Sequence, residues 1–164
     1  MFNHRRSEAG RAEAYKSPKG IHVDRGTMYV AGTRSLSDAW DDLKIPLRRT
    51  DQTRRFTGAD EVFGKGGISK VVGHSLGGAV ALELQSKNPG VETETYGAPV
   101  FSTQKSGQRH CRTRDPVCAF DLGAKKSSIG SSSLLRNHSY RGYSLNESRP
   151  SYQKTLFGLT APQR

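Results

Sequence analysis

Cysteine is nearly absent: the 164 residues hold only Cys111 and Cys118. Two thiols cannot build a disulfide framework, and no CxxC pattern offers a zinc site. Buried free thiols are the default reading of this pair, with a local disulfide as the alternative. Hydrophobic residues are also scarce, at 33%. Even with glycine counted in, the apolar share stays below the ~45–50% usual for a soluble domain. No apolar run approaches the roughly 18 residues that a membrane-spanning helix needs. The amino end, Met1-Phe2-Asn3-His4-Arg5-Arg6, lacks the apolar stretch of a secretory signal. Aromatic residues make up 8%, with Trp40 the single tryptophan, and it reads as a core anchor.

Acidic residues are the other shortage, with 15 Asp and Glu against 26 Lys and Arg, a net charge of +11. The imbalance is uneven. Residues 21–103 hold ten basic and ten acidic side chains, whereas residues 104–164 hold eleven against three. Such asymmetry points to an anionic partner (nucleic acid, an acidic membrane face or a polyanionic assembly) or else to a solvated surface. Aromatics are not interleaved with the basic residues, as base-stacking platforms require, so nucleic acid is the less favoured partner.

The chain divides into a basic flexible arm over residues 1–19, one domain over residues 20–146 and a tail over residues 147–164. Ile21–Val23 and Thr27–Ala31 read as strands joined by a hairpin turn at Asp24-Arg25-Gly26. A helix capped by Ser35 or Ser37 runs through Asp38–Leu43 to Pro46, and a second covers Phe56 to Phe63. Ile68–Val72 is a β-branched strand, and Ala79–Lys87 is a helix in which Glu83 pairs with Lys87. Val91–Tyr96 follows as a strand with Glu92 and Glu94 outward, then a shorter strand over Gln108–Arg112. Residues 123–133 read as a loop. This alternation predicts an α/β fold, with a mostly parallel sheet flanked by helices and any site along one rim.

Between the third strand and the helix after it lies Gly73-His74-Ser75-Leu76-Gly77. A serine hydroxyl becomes a useful nucleophile when it is exposed on a strained turn and handed to a base. With 18 glycines in 164 residues and as many serines, about 0.2 matches to GxSxG arise by chance. The strand leading in and the helix leading out lift the pattern above that level.

Gly73-His74-Ser75-Leu76-Gly77-Gly78-Ala79 resembles the nucleophile elbow of the class 3 lipases in the α/β-hydrolase superfamily. Tyr96-Gly97-Ala98-Pro99 is similar to the end of that family's next strand. Val30-Ala31-Gly32-Thr33 with Asp38–Leu43 is similar to its oxyanion strand and following helix, and Asp115-Pro116-Val117 to its acid motif. The similarity spans residues 21–145. It implies a minimal α/β-hydrolase fold with the elbow at residues 73–77, and a serine ester hydrolase acting on lipid or phospholipid esters. It further implies a triad of Ser75, Asp115 and His138, an oxyanion hole at Thr33 and Leu76, and no cofactor. Asp121 is the competing acid and His110 the competing base; His74, by the geometry of the turn, points away from Ser75.

Two departures stand out. Ala31 occupies the position where the family usually has arginine, and only 42 positions separate Thr33 from Ser75, a short interval for a lid. The basic surface suits peripheral contact with an anionic membrane, and size and charge together suit a cytoplasmic or virion-associated setting. The alternatives are a non-catalytic basic binding protein on a hydrolase scaffold, and a thioesterase or acyltransferase.

Overall fold

The computed structural model describes residues 4–33, 54–100, 107–119, 121, 123–127 and 138–143. The helix expected at Asp38–Leu43, Trp40, residues 34–53 of the interval between Thr33 and Ser75, and the tail at 147–164 lie outside these residues. Among the described residues, six strands form one sheet in chain order: β1 (Ile21–Asp24), β2 (Thr27–Val30), β3 (Lys70–His74), β4 (Glu92–Tyr96), β5 (Gln108–Arg112) and β6 (Lys125–Ser127). Only β1 and β2 are antiparallel; Arg25 and Gly26 between them both take positive φ, 45° and 74°, as a two-residue hairpin turn requires. The pairs β2–β3, β3–β4, β4–β5 and β5–β6 are all parallel. The fold is α/β, as the alternating pattern predicts.

Sequential order with right-handed crossovers puts the connecting helices on one face of the sheet. Helices α2 (Arg54–Gly64) and α3 (Leu76–Lys87) share that face. Phe56 and Ala59 from α2 meet Val80, Ala81 and Leu84 from α3 over Met28, Val30 and Val71 of the strands. The alternate strand residues, Tyr29, Val72 and Tyr96, face the other way and pack with Ala14. Because side chains alternate along a strand, two cores form on opposite faces of one sheet. Leu82 packs separately with Ala98 and Val100, so α3 is buried on two sides.

Ala14 belongs to α1 (His4–Lys16), which replaces the flexible arm read from residues 1–19. Its polar composition hid a docking face, with Ser7, Arg11 and Ala14 buried at helical spacing. The Arg11 guanidinium lies 3.7 Å from the centroid of the Tyr96 ring, and Arg6 pairs with Asp24 at 2.7 Å. A charge that stacks on an aromatic ring holds a helix down as an apolar side chain does.

Three other expectations need correction. Glu94 does not face water; it is buried and pairs with Lys70 at 2.9 Å, while Glu92, on the same face, is exposed. Lys70, Tyr96 and His110 close around the Glu94 carboxylate and turn an outward position inward. Within the segment read as a loop, Lys125–Ser127 adds an edge strand beside β5. Cys111 and Cys118 form a disulfide with Cα atoms 5.8 Å apart, because the chain after β5 folds back on that strand. Among the described residues, no helix is long and apolar enough to cross a membrane.

Candidate active site

The parallel strands end together: Val30 pairs with Gly73, Gly73 with Thr95, and His74 with Tyr96. Immediately beyond this rim stands Ser75, with φ 55° and ψ −128°, where β3 turns into α3. Such a backbone costs a non-glycine residue about 1–3 kcal/mol and persists only when its surroundings impose it. They do. A Cβ on Gly73 would strike the carbonyl of Gly77 and come within 2.6 Å of Gly78 Cα. One on Gly77 would strike the carbonyl of Val30. The glycines of the motif therefore mark where the helix is pressed against two strands. Ser75 N–H donates to the Tyr96 carbonyl at 2.9 Å, fixing the turn on β4.

Ser75 Oγ lies 2.8 Å from His138 Nε2. On the far side of that ring, Nδ1 lies 2.9 Å and 3.1 Å from the two carboxylate oxygens of Asp115. His138 and Asp115 are buried, and the structure brings all three predicted triad residues into one hydrogen-bonded line. An ionised Asp115 accepts Nδ1–H, which leaves Nε2 as the acceptor facing the serine hydroxyl.

Asp115 is held independently of the histidine. Val117 N–H donates to Oδ1 at 2.9 Å, and the Tyr143 hydroxyl donates to Oδ2 at 2.5 Å. Tyr143 in turn accepts Arg112 N–H at 3.1 Å. Burial, reinforced by the Asp115 charge and hydrogen bond, pushes the Tyr143 phenol well above its ordinary pKa, so it remains a donor. Tyr143 was not singled out from the sequence. It lies 28 positions from its carboxylate, and no local pattern marks it.

The two residues read as oxyanion donors adjoin Ser75 and Gly32, Leu76 following the one and Thr33 the other. Leu76 opens α3, whose first-turn N–H groups and dipole favour negative charge at this end. Thr33 follows Gly32, where an added Cβ would lie 2.7 Å from Ser75 Cβ.

The rival residues are engaged elsewhere. His110 stacks on Tyr96 with centroids 4.8 Å apart and lies 3.4 Å from Glu94. Asp121 pairs with Arg109 at 3.0 Å, both side chains being buried. His74 turns elsewhere: its ring bonds the His138 carbonyl at 2.8 Å and the Tyr15 hydroxyl at 2.6 Å. No group of three or more His, Cys, Asp and Glu side chains that could hold a metal ion occurs among the described residues.

Compared with family models, with curated proteins and with solved structures, the chain matches none of them.

Proposed function

We propose that this chain is a serine hydrolase of carboxylic esters, built on a minimal α/β-hydrolase fold and acting on lipid substrates in the manner of a class 3 lipase. The observation that carries the reading is the unbroken line from a positive-φ Ser75 through His138 to a buried Asp115. In this mechanism His138 Nε2 takes the proton from Ser75 Oγ as the oxygen attacks the ester carbonyl carbon. Asp115 stabilises the resulting imidazolium and keeps its ring oriented. The tetrahedral oxyanion is received by the backbone N–H groups of Leu76 and Thr33. His138 then gives its proton to the departing alcohol oxygen, leaving an acyl group on Ser75. Water, deprotonated by the same imidazole, attacks the acyl carbon, and the proton returns to Ser75 as the acid leaves.

The lipid preference rests on the resemblance of the four motifs and on the net charge of +11. Near an anionic bilayer each Lys or Arg contributes about 1 kcal/mol to adhesion. Labelling with a fluorophosphonate tests the reaction: the parent should label and Ser75→Ala should not. Equal labelling of both removes Ser75 from the chemistry. Esters and thioesters of graded acyl length then distinguish a lipase from a thioesterase or acyltransferase. The basic excess also favours a non-catalytic binding reading, in which ester turnover is absent and DNA binding falls steeply with salt.

A further inference from the structure

The catalytic base needs its ring held at both ends, and Ser75 and Asp115 supply only the contacts to the ring itself. The main chain of His138 is held by a second histidine. His74 Nε2 lies 2.8 Å from the His138 carbonyl oxygen, an acceptor, so this nitrogen carries a proton. Its Nδ1 lies 2.6 Å from the Tyr15 hydroxyl and accepts from it. Burial first, then the nearby His138 and Arg11, hold the His74 pKa well below its ordinary value, which keeps the ring neutral and this bonding pattern intact. The Tyr15 oxygen also accepts Gly32 N–H at 3.2 Å, next to the oxyanion residue Thr33. Beyond the hydroxyl, the Tyr15 ring stacks on Tyr140, two positions after the base, with centroids 4.6 Å apart.

We propose that Tyr15 and His74 are positioning residues that set the main chain of His138 against Ser75 and tie it to the Gly32–Thr33 segment that follows β2. This rests on the hydrolase reading. One phenol on α1 thus joins three pieces of the site that lie far apart in sequence. His74 acts through the His138 backbone and does not touch the reacting atoms. Its place directly before the nucleophile makes the distance between serine and base insensitive to movements of the chain around them.

The test follows fluorophosphonate labelling of the full chain, with the maximal inactivation rate separated from the half-saturating probe concentration. Melting temperatures are measured alongside. His74→Phe keeps the ring volume but loses both hydrogen bonds. It should lower the maximal rate about 10- to 100-fold, as misplacement of a reacting group does, with half-saturation within about 2-fold. His74→Gln places an amide N–H where Nε2–H lies and should restore the rate to within about 3-fold of the parent. Tyr15→Phe removes one oxygen and should lower the rate about 10-fold. Parental rates in His74→Phe and Tyr15→Phe overturn the proposal. So do equal rate losses in His74→Phe and His74→Gln that track their melting temperatures, since a purely structural role predicts that pattern. A parent that does not label, or a Ser75→Ala variant that labels equally, refutes the hydrolase reading itself and this inference with it.

Discussion

Reducing the Cys111–Cys118 bridge perturbs the acid of the proposed triad without touching it. The bridge joins cysteines with a sequence separation of 7, and Asp115 sits inside the loop it closes. Cys111 belongs to β5, so the cross-link ties the far end of the loop to the sheet. Chain-entropy arithmetic for so short a loop gives about 8 cal/mol/K, or about 2.5 kcal/mol at 25 °C. For a chain of this size that corresponds to a fall of about 5–10 °C in melting temperature. Labelling should also slow, because the Asp115 contact with Val117 N–H depends on the loop's shape. The assay reduces the protein in mild denaturant, returns it to native buffer with reductant, counts thiols, and follows melting and fluorophosphonate labelling. The Cys111→Ala, Cys118→Ala double variant, melted without reductant, gives an independent estimate. A fully reduced protein with a melting temperature within 1 °C of the oxidised form, labelling at the parental rate, would refute the reasoning.

The other expectations are simpler to check. His138→Ala should lower ester turnover by several orders of magnitude in steady-state kinetics, as loss of a general base does elsewhere. Ser75→Gly abolishes turnover but relieves the positive φ, so its calorimetric melting temperature should rise, by about 2–4 °C if about 1 kcal/mol of strain is released. Burial raises the Glu94 pKa, but hydrogen bonds from His110, Tyr96 and Lys70 outweigh it and hold the group at about 2. Because folding lowers this pKa, the stability it brings is complete above the unfolded carboxylate range and is lost as pH falls from about 4.5 to about 2. Denaturant titrations across that window should therefore show an acid limb that Glu94→Gln flattens, with that variant about 3–5 kcal/mol less stable at pH 7.

Much of the sheet was legible because its signals are local. Val71-Val72, the Asp24-Arg25-Gly26 turn and the glycines around Ser75 each announce a conformation within a few residues. Ser75, Asp115 and His138 could be named because their order and neighbours carry a motif, and the structure brings them within hydrogen-bond distance of one another. The supporting shell was not legible. Arg11 reads as a solvated charge until Tyr96 is placed beneath it, and Glu94 reads as an outward position until Lys70, Tyr96 and His110 surround it. Tyr15 and Tyr143 carry no motif, since their partners are 59 and 28 positions away in the chain. His74 reads from the sequence as pointing away from Ser75, and its bonds to the His138 carbonyl and the Tyr15 hydroxyl depend on partners no local pattern reveals.

The amino-terminal helix has a consequence for the order of events during synthesis. The Ser7 contact with Tyr96 spans 89 positions, and the bond from Arg11 to the Tyr143 carbonyl spans 132. Helix α1 is made before these partners, and its seat is finished only when residue 143 has emerged. Contacts of such separation form late, after the cost of closing the intervening chain has been met. A nascent chain therefore carries Ser75 before the segment around Tyr143 has emerged, and α1 takes its final seat after the strand-to-helix turn at Ser75 has been made.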